Sequence, residues 1–171
     1  DIQDVQTMYE IINDIGGKIT KKNNKVIIDT KNIHRYEIPD NLMRKMRSSV
    51  ILAGALIGRY QKARFSYPGG CEIGSRPIDL HLKGFEKLGI EIKEEFGEII
   101  CATSEIKGTQ IHLDFPSVGA TENIILASIL AKGVTVLTNA AREPEIEDLI
   151  KYLNKMGAKI KGTGTDRIEI I

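Results

Sequence analysis

Apolar positions along the chain follow two rhythms, and their alternation defines a repeat. Three stretches, Asp4 to Asp29, Ile78 to Ala102 and Glu147 to Ile171, begin with helical spacing and end in short runs of strand character. A glycine marks each changeover: Ile11-Ile12-Asn13-Asp14-Ile15-Gly16 aligns with Phe85-Glu86-Lys87-Leu88-Gly89 and Leu153-Asn154-Lys155-Met156-Gly157. Such a glycine, placed after the last helical residue, closes a helix in the left-handed conformation. Ile19, Ile92 and Ile160 then open one strand, and Val26–Ile28, Ile99–Cys101 and Ile168–Ile170 form the next. The polar tips between them, Lys21–Lys25, Glu94–Gly97 and Gly162–Asp166, read as hairpin turns.

Two further helices are expected between these copies, Ser48 to Tyr60 and Gly119 to Lys132. Both are apolar or small nearly all round, a pattern that belongs at a domain centre. Each is followed by a strand, Arg64 to Tyr67 and Thr135 to Thr138. The repeating unit is therefore strand, buried helix, strand, amphipathic helix and a final strand pair. The fold class is α/β (α+β), with βαβαββ units around a pseudo-threefold axis, an inside-out barrel of central helices and outer sheets. Residues 1–40 are expected to be the tail of a first unit, 41–104 a second and 105–171 a third, in one incomplete domain. The chain opens at Asp1 directly in a helical pattern, as expected of a piece of something longer.

Composition narrows the function classes. A chain of 171 residues buries a core, and 42% hydrophobic with 27% charged residues is ordinary for a soluble protein. A formal net charge of +1 argues against a broad footprint for nucleic acid or membrane. The longest apolar run, Val50 to Gly58, is too short to span a bilayer, and no export signal opens the chain. Cys71 and Cys101 sit in unrelated contexts, so free thiols and a cytoplasmic location are expected.

The loop Pro68-Gly69-Gly70-Cys71-Glu72-Ile73-Gly74-Ser75-Arg76-Pro77 draws the eye for chemistry. Glycines flank a cysteine, and Arg76 is near enough to stabilise a thiolate or bind an anion; a reactive cysteine and an ordinary loop thiol both fit. Pro77 suits the first turn of the following helix, leaving backbone N–H groups for a phosphate. Cys101 reads as a small core residue. A second junction, Pro116-Ser117-Val118-Gly119-Ala120-Thr121, leads into the second buried helix, where small residues and the hydroxyls of Ser117 and Thr121 serve either an anion or plain helix capping. Arg44, Lys45 and Arg47 precede the first buried helix; such clusters are usually solvated, yet Arg47 lies at the corresponding junction of its own unit. Asp79 and His81, two apart, point to different faces and are not a catalytic pair. Neither His34 nor His112 shows a partner pattern. No metal-ligand spacing and no Walker-type loop occurs, and no cofactor is expected.

The segment from Pro68 through Arg76-Pro77-Ile78-Asp79-Leu80-His81 closely resembles the cysteine loop of the UDP-N-acetylglucosamine enolpyruvyl transferase family. Ser117-Val118-Gly119-Ala120-Thr121, Asn139-Ala140-Ala141-Arg142-Glu143-Pro144-Glu145-Ile146 and Met43-Arg44-Lys45-Met46-Arg47-Ser48-Ser49 are similar to further signatures in the family's order. The resemblance implies transfer of the enolpyruvyl group of phosphoenolpyruvate to the 3-hydroxyl of UDP-N-acetylglucosamine, the first committed step of peptidoglycan synthesis. It implies Cys71 as general acid and as the thiol alkylated by fosfomycin. Arg76 would meet phosphate where the substrates converge. Arg76, Pro77, Ile78, Asp79 and Leu80 would line the sugar-nucleotide site, Ser117, Val118 and Gly119 would hold its diphosphate, and Arg47 would give another ligand contact. Phe115 stands where some members of the family carry a lysine. The family's early Lys-Asn pair and its second domain, with a base aspartate and further arginines, are implied to lie outside this chain. This piece would then be inactive alone.

Two other readings stay open on the residues. One is a non-catalytic module that binds a UDP-sugar or another anion. The other is the sister transferase acting on shikimate 3-phosphate, against which the cysteine loop argues.

Overall fold

The computed structural model describes residues 2–69 and 78–171. The elements run α1 (Gln3–Asp14), β1 (Lys18–Lys22), β2 (Lys25–Asp29), α2 (Asp40–Met43), a 3-10 turn (Arg47–Val50), α3 (Ile51–Tyr60), β3 (Lys62–Ser66), α4 (Asp79–Lys87), β4 (Glu91–Glu95) and β5 (Glu98–Ala102). They continue β6 (Gln110–His112), α5 (Val118–Ser128), β7 (Thr135–Thr138), α6 (Pro144–Lys155), β8 (Ile160–Lys161) and β9 (Arg167–Ile170).

The repeat is visible in the sheets. One has the order β3-β5-β4 and another β6-β7-β9-β8. Both use antiparallel pairing to the central strand, Ile92 and Ala63 facing Cys101, and Leu137 facing Ile168. Where β6 runs parallel to β7, Glu37 forms a parallel bridge to Arg64 of β3, so the two sheets differ mainly in the length of their first strand. The third, β1-β2, has two strands. Among the described residues no strand lies on the far side of β2, and Val26, Ile27 and Ile28 are exposed.

Each amphipathic helix ends as expected. Gly16, Gly89 and Gly157 have φ of 105°, 83° and 106°, the left-handed region that closes a helix. The hairpin tips also fall in place, at Asn23 and at Phe96-Gly97, both with positive φ.

Helices α3 and α5 pack against each other at the centre. Ala53, Leu56, Ile57, Ile124, Ile125 and Ala127 are buried around them, and Phe65, Phe85, Ile11 and Leu137 extend the core under the sheets. Close approach depends on glycine. A Cβ at Gly54 would lie 2.5 Å from the Asn123 carbonyl oxygen, and one at Gly58 would lie 2.6 Å from that of Leu126. Both contacts are with main chain of α5, so neither can be relieved by turning a side chain.

The second central helix differs from expectation at its end. It stops at Ser128 instead of running to Lys132. Ser128 Oγ donates back to Ile124 O at 2.6 Å, and Lys132 N–H donates to Ile106 O at 2.9 Å while Gly108 N–H donates to Lys132 O at 2.8 Å. Helix propensity is worth only about 0.7 kcal/mol per residue or less, so this bridge to the 106–108 segment decides the last turn. The first central helix likewise opens as a 3-10 turn, and the strand after it starts at Lys62, two residues early.

Candidate functional site

A cavity of about 750 Å³ opens where the starts of α3, α4 and α5 converge. Five of the residues that the sequence singles out line it: Arg47, Leu80, Ser117, Val118 and Gly119, from three separate segments. Lys45, Met46, Phe115, His81 and Glu122 complete much of the wall.

Local structure explains each position. Ser49 Oγ is buried and donates to Met46 O at 2.6 Å, which fixes the turn carrying Arg47. The neighbouring basic residues are engaged elsewhere: Arg44 Nε lies 2.8 Å from Asp40, and Lys45 Nζ 2.9 Å from Glu10. Arg47 and Lys45 both line the cavity, and the charge of Arg47 depresses the pKa of His81. Ser117 is the N-cap of α5, its Oγ accepting from Ala120 N–H at 3.4 Å. The capping expectation therefore holds, and it leaves the N–H groups of Val118 and Gly119 without intrahelical acceptors at the cavity edge. That is the usual chemistry of an anion subsite.

Thr121 behaves differently. It is fully buried, and its Oγ1 accepts from Ala141 N–H at 3.1 Å, so this hydroxyl holds the Asn139–Ala141 segment and does not serve a ligand. The Ile78 side chain is 1% exposed and belongs to the core, so any ligand contact from this residue runs through its main chain. Asp79 is exposed in the first turn of α4 and is not among the lining residues. Cys71, Arg76 and Pro77 lie outside the described residues. Cys101 is buried in β5, and burial pushes its thiol up to about 12, which makes it a poor nucleophile.

Sequence reasoning gave no site role to three groups here. His81 is buried, with its pKa lowered to about 4 by burial and by the charge of Arg47. Asn123 is fully buried and touches three helical segments. Glu122 lines the cavity, and burial raises its carboxyl pKa, with Glu145 adding like charge. His81 lay inside a quoted motif, but periodicity gave no reason to look for a buried asparagine at position 123. Among the described residues no group of three His, Cys, Asp or Glu is arranged to hold a metal ion. Nor is any helix among them long and apolar enough to cross a membrane.

Two like-ordered sheets and the central helices α3 and α5, with a cavity at the helix starts, make an α/β fold of the kind found in enolpyruvyl transferases. A family model described as EPSP synthase (3-phosphoshikimate 1-carboxyvinyltransferase) matches residues 1–171, and the chain belongs to that family. Within it, the chain is 57% identical over 169 residues to UDP-N-acetylglucosamine 1-carboxyvinyltransferase 2 of Caldanaerobacter subterraneus subsp. tengcongensis, covering 99% of this chain and 40% of the relative. It is 51% identical to the like-named protein of Carboxydothermus hydrogenoformans, covering 99% of this chain and 41% of that one. The chain thus spans about 40% of the length of these curated relatives. Among solved structures, the enolpyruvyl transferase NikO from Streptomyces tendae superposes with a TM-score of 0.83 at 21% identity, over 99% of this chain and 40% of that one. At that identity the likeness speaks for the fold.

Proposed function

We propose that the chain supplies the sugar-nucleotide half of an active site that moves the enolpyruvyl group of phosphoenolpyruvate to the 3-hydroxyl of UDP-N-acetylglucosamine, in peptidoglycan synthesis. The observation that carries the reading is the convergence of Arg47, Leu80, Ser117, Val118 and Gly119, distant in sequence, on one cavity. The names of the relatives at 57% and 51% identity point to the same substrate.

In this mechanism Cys71 protonates the methylene carbon of phosphoenolpyruvate as the sugar 3-hydroxyl adds to the neighbouring carbon. The resulting tetrahedral ketal then loses phosphate, and a proton leaves the methyl group to restore the double bond. Arg76 neutralises phosphate where the substrates meet and shapes the thiol pKa. Pro77, Ile78, Asp79 and Leu80 line the sugar nucleotide, Ser117, Val118 and Gly119 hold its diphosphate, and Arg47 adds a charge-assisted contact.

The units 1–40, 41–104 and 105–171 belong to an inside-out barrel around a pseudo-threefold axis, and a strand, a buried helix and a second strand would complete the first. A second domain of the same polypeptide closes the cleft and brings the remaining groups, so the isolated chain does not turn over. The reaction takes place in the cytoplasm.

A chimera tests this reading: the chain replaces the matching 40% of the Caldanaerobacter relative, and phosphate release is measured with each acceptor. Release that requires UDP-N-acetylglucosamine and falls severely with Cys71→Ser supports it. A folded chimera that uses shikimate 3-phosphate, or keeps its rate as Cys71→Ser, overturns it.

A further inference from the structure

His81 and Asn123 form a polar pair inside the core whose geometry fixes a proton. The Asn123 amide has only one possible orientation. Its Oδ1 accepts from Gly54 N–H at 2.8 Å, and a main-chain N–H can only donate. Its Nδ2 donates to Val50 O at 3.0 Å, and a carbonyl can only accept. The second Nδ2 proton is directed at His81 Nδ1, 2.7 Å away. His81 Nδ1 must therefore be the bare, accepting nitrogen. An imidazolium, or the tautomer protonated at Nδ1, would set two N–H groups against each other in a buried place.

The proton then belongs to Nε2, and Nε2 faces the cavity. His81 lines it, and a Cβ built on Gly119 would sit 3.2 Å from His81 Cε1 and 3.5 Å from Nε2. No acceptor among the described residues meets Nε2. The N–H thus lies beside the open N–H groups of Val118 and Gly119, on the wall that also carries Arg47.

We infer that Asn123 is a positioning residue that locks His81 as its Nε2–H tautomer, so that the cavity presents an uncharged, aimed N–H donor to an anionic oxygen of the bound ligand. The inference rests on the sugar-nucleotide reading of the cavity and adds one donor to it. A diphosphate in the cavity would otherwise favour protonation of a nearby imidazole. The amide of Asn123 blocks that, and His81 neither takes up a proton on binding nor acts as a base there.

Two-bond ¹H–¹⁵N correlation of histidine-labelled protein reads the tautomer directly, before and after addition of UDP-N-acetylglucosamine. The expected result is a bare Nδ1 and a protonated Nε2 in both states, with the Nε2–H resonance shifted and slowed in exchange when the sugar nucleotide binds. A protonated Nδ1 in the free protein overturns the lock. Binding that leaves the Nε2–H signal unmoved overturns the donor role while the site reading stands. Absence of binding with the Nε2–H tautomer in place overturns the site reading and the donor role with it. Asn123→Asp, which can only accept, is expected to move the proton to Nδ1 and weaken binding about tenfold or more. Should that variant not fold, His81→Gln and His81→Phe decide: the glutamine retains an N–H donor and binds more tightly than the phenylalanine. Equal affinity in those two overturns the proposal.

Discussion

Gly54 and Asn123 meet at the centre of the molecule, where Gly54 N–H donates to Asn123 Oδ1 at 2.8 Å and a Cβ on the glycine would stand 2.5 Å from the asparagine carbonyl oxygen. The contact sets the spacing of α3 and α5. On an exposed helix Gly→Ala gains about 0.5–1 kcal/mol, whereas forcing a methyl group into a packed core costs about 1–3 kcal/mol. Because the obstacle is main chain, the second effect wins. Gly54→Ala is expected to lower the urea midpoint, and an unchanged or raised midpoint would contradict this packing.

Burial of neutral His81 makes stability depend on pH. Its pKa is about 4 in the folded protein against 6.5 for an ordinary histidine, so between those values the unfolded chain binds more protons. Stability is then complete above about pH 6.5 and is lost as pH falls towards 4, by about 3 kcal/mol at most. Carboxylates add their own dependence, but they are common to the wild type and His81→Gln. The difference in unfolding free energy between the two should change across that window. A constant difference from pH 7 to 4 would argue that His81 titrates normally.

The two thiols should separate cleanly under alkylation. Cys101 is 1% exposed and its pKa is pushed up to about 12, so it stays protonated and shielded at neutral pH. Iodoacetamide followed by peptide mass spectrometry is expected to mark Cys71 in the folded protein and both residues in guanidinium. Arg76→Ala should raise the pH at which Cys71 reacts. Labelling of Cys101 at a comparable rate in the native state would contradict its assignment to the core.

Ser117 has a structural and a proposed binding task that can be told apart. Its hydroxyl caps α5. Ser117→Ala should cost about 1 kcal/mol of stability through the lost cap. Ser117→Asp keeps the cap and restores stability, but its negative charge should weaken binding of a diphosphate. If calorimetry shows Ser117→Asp binding as well as the wild type, this end of α5 does not hold the anion.

The repeat was legible because it rests on strong local signals. Helical spacing, a left-handed glycine and a short hairpin recur three times, and Gly16, Gly89 and Gly157 all adopt the expected conformation. Strand Thr135–Thr138 has the bounds expected of it, while the end of α5 does not, since that turn is unwound by the distant bridge of Lys132 to the 106–108 segment. The site was half legible. Arg47 and Ser117 announce themselves by charge and capping chemistry at helix starts. Thr121 looked equally available, and only its tertiary partner Ala141 shows that the hydroxyl is spent. Asn123 was invisible, because its significance lies in reaching Gly54, Val50 and His81, none of them near it in sequence.

The central claim is that the cavity at the starts of α3, α4 and α5 recognises a UDP-sugar. The most direct measurement is an NMR titration of the protein with UDP-N-acetylglucosamine, run beside shikimate 3-phosphate. The account predicts shifts at Arg47, Leu80, His81 and Ser117–Gly119 with the sugar nucleotide alone. Shifts there with shikimate 3-phosphate alone, or sugar-nucleotide shifts that fall elsewhere, would contradict it.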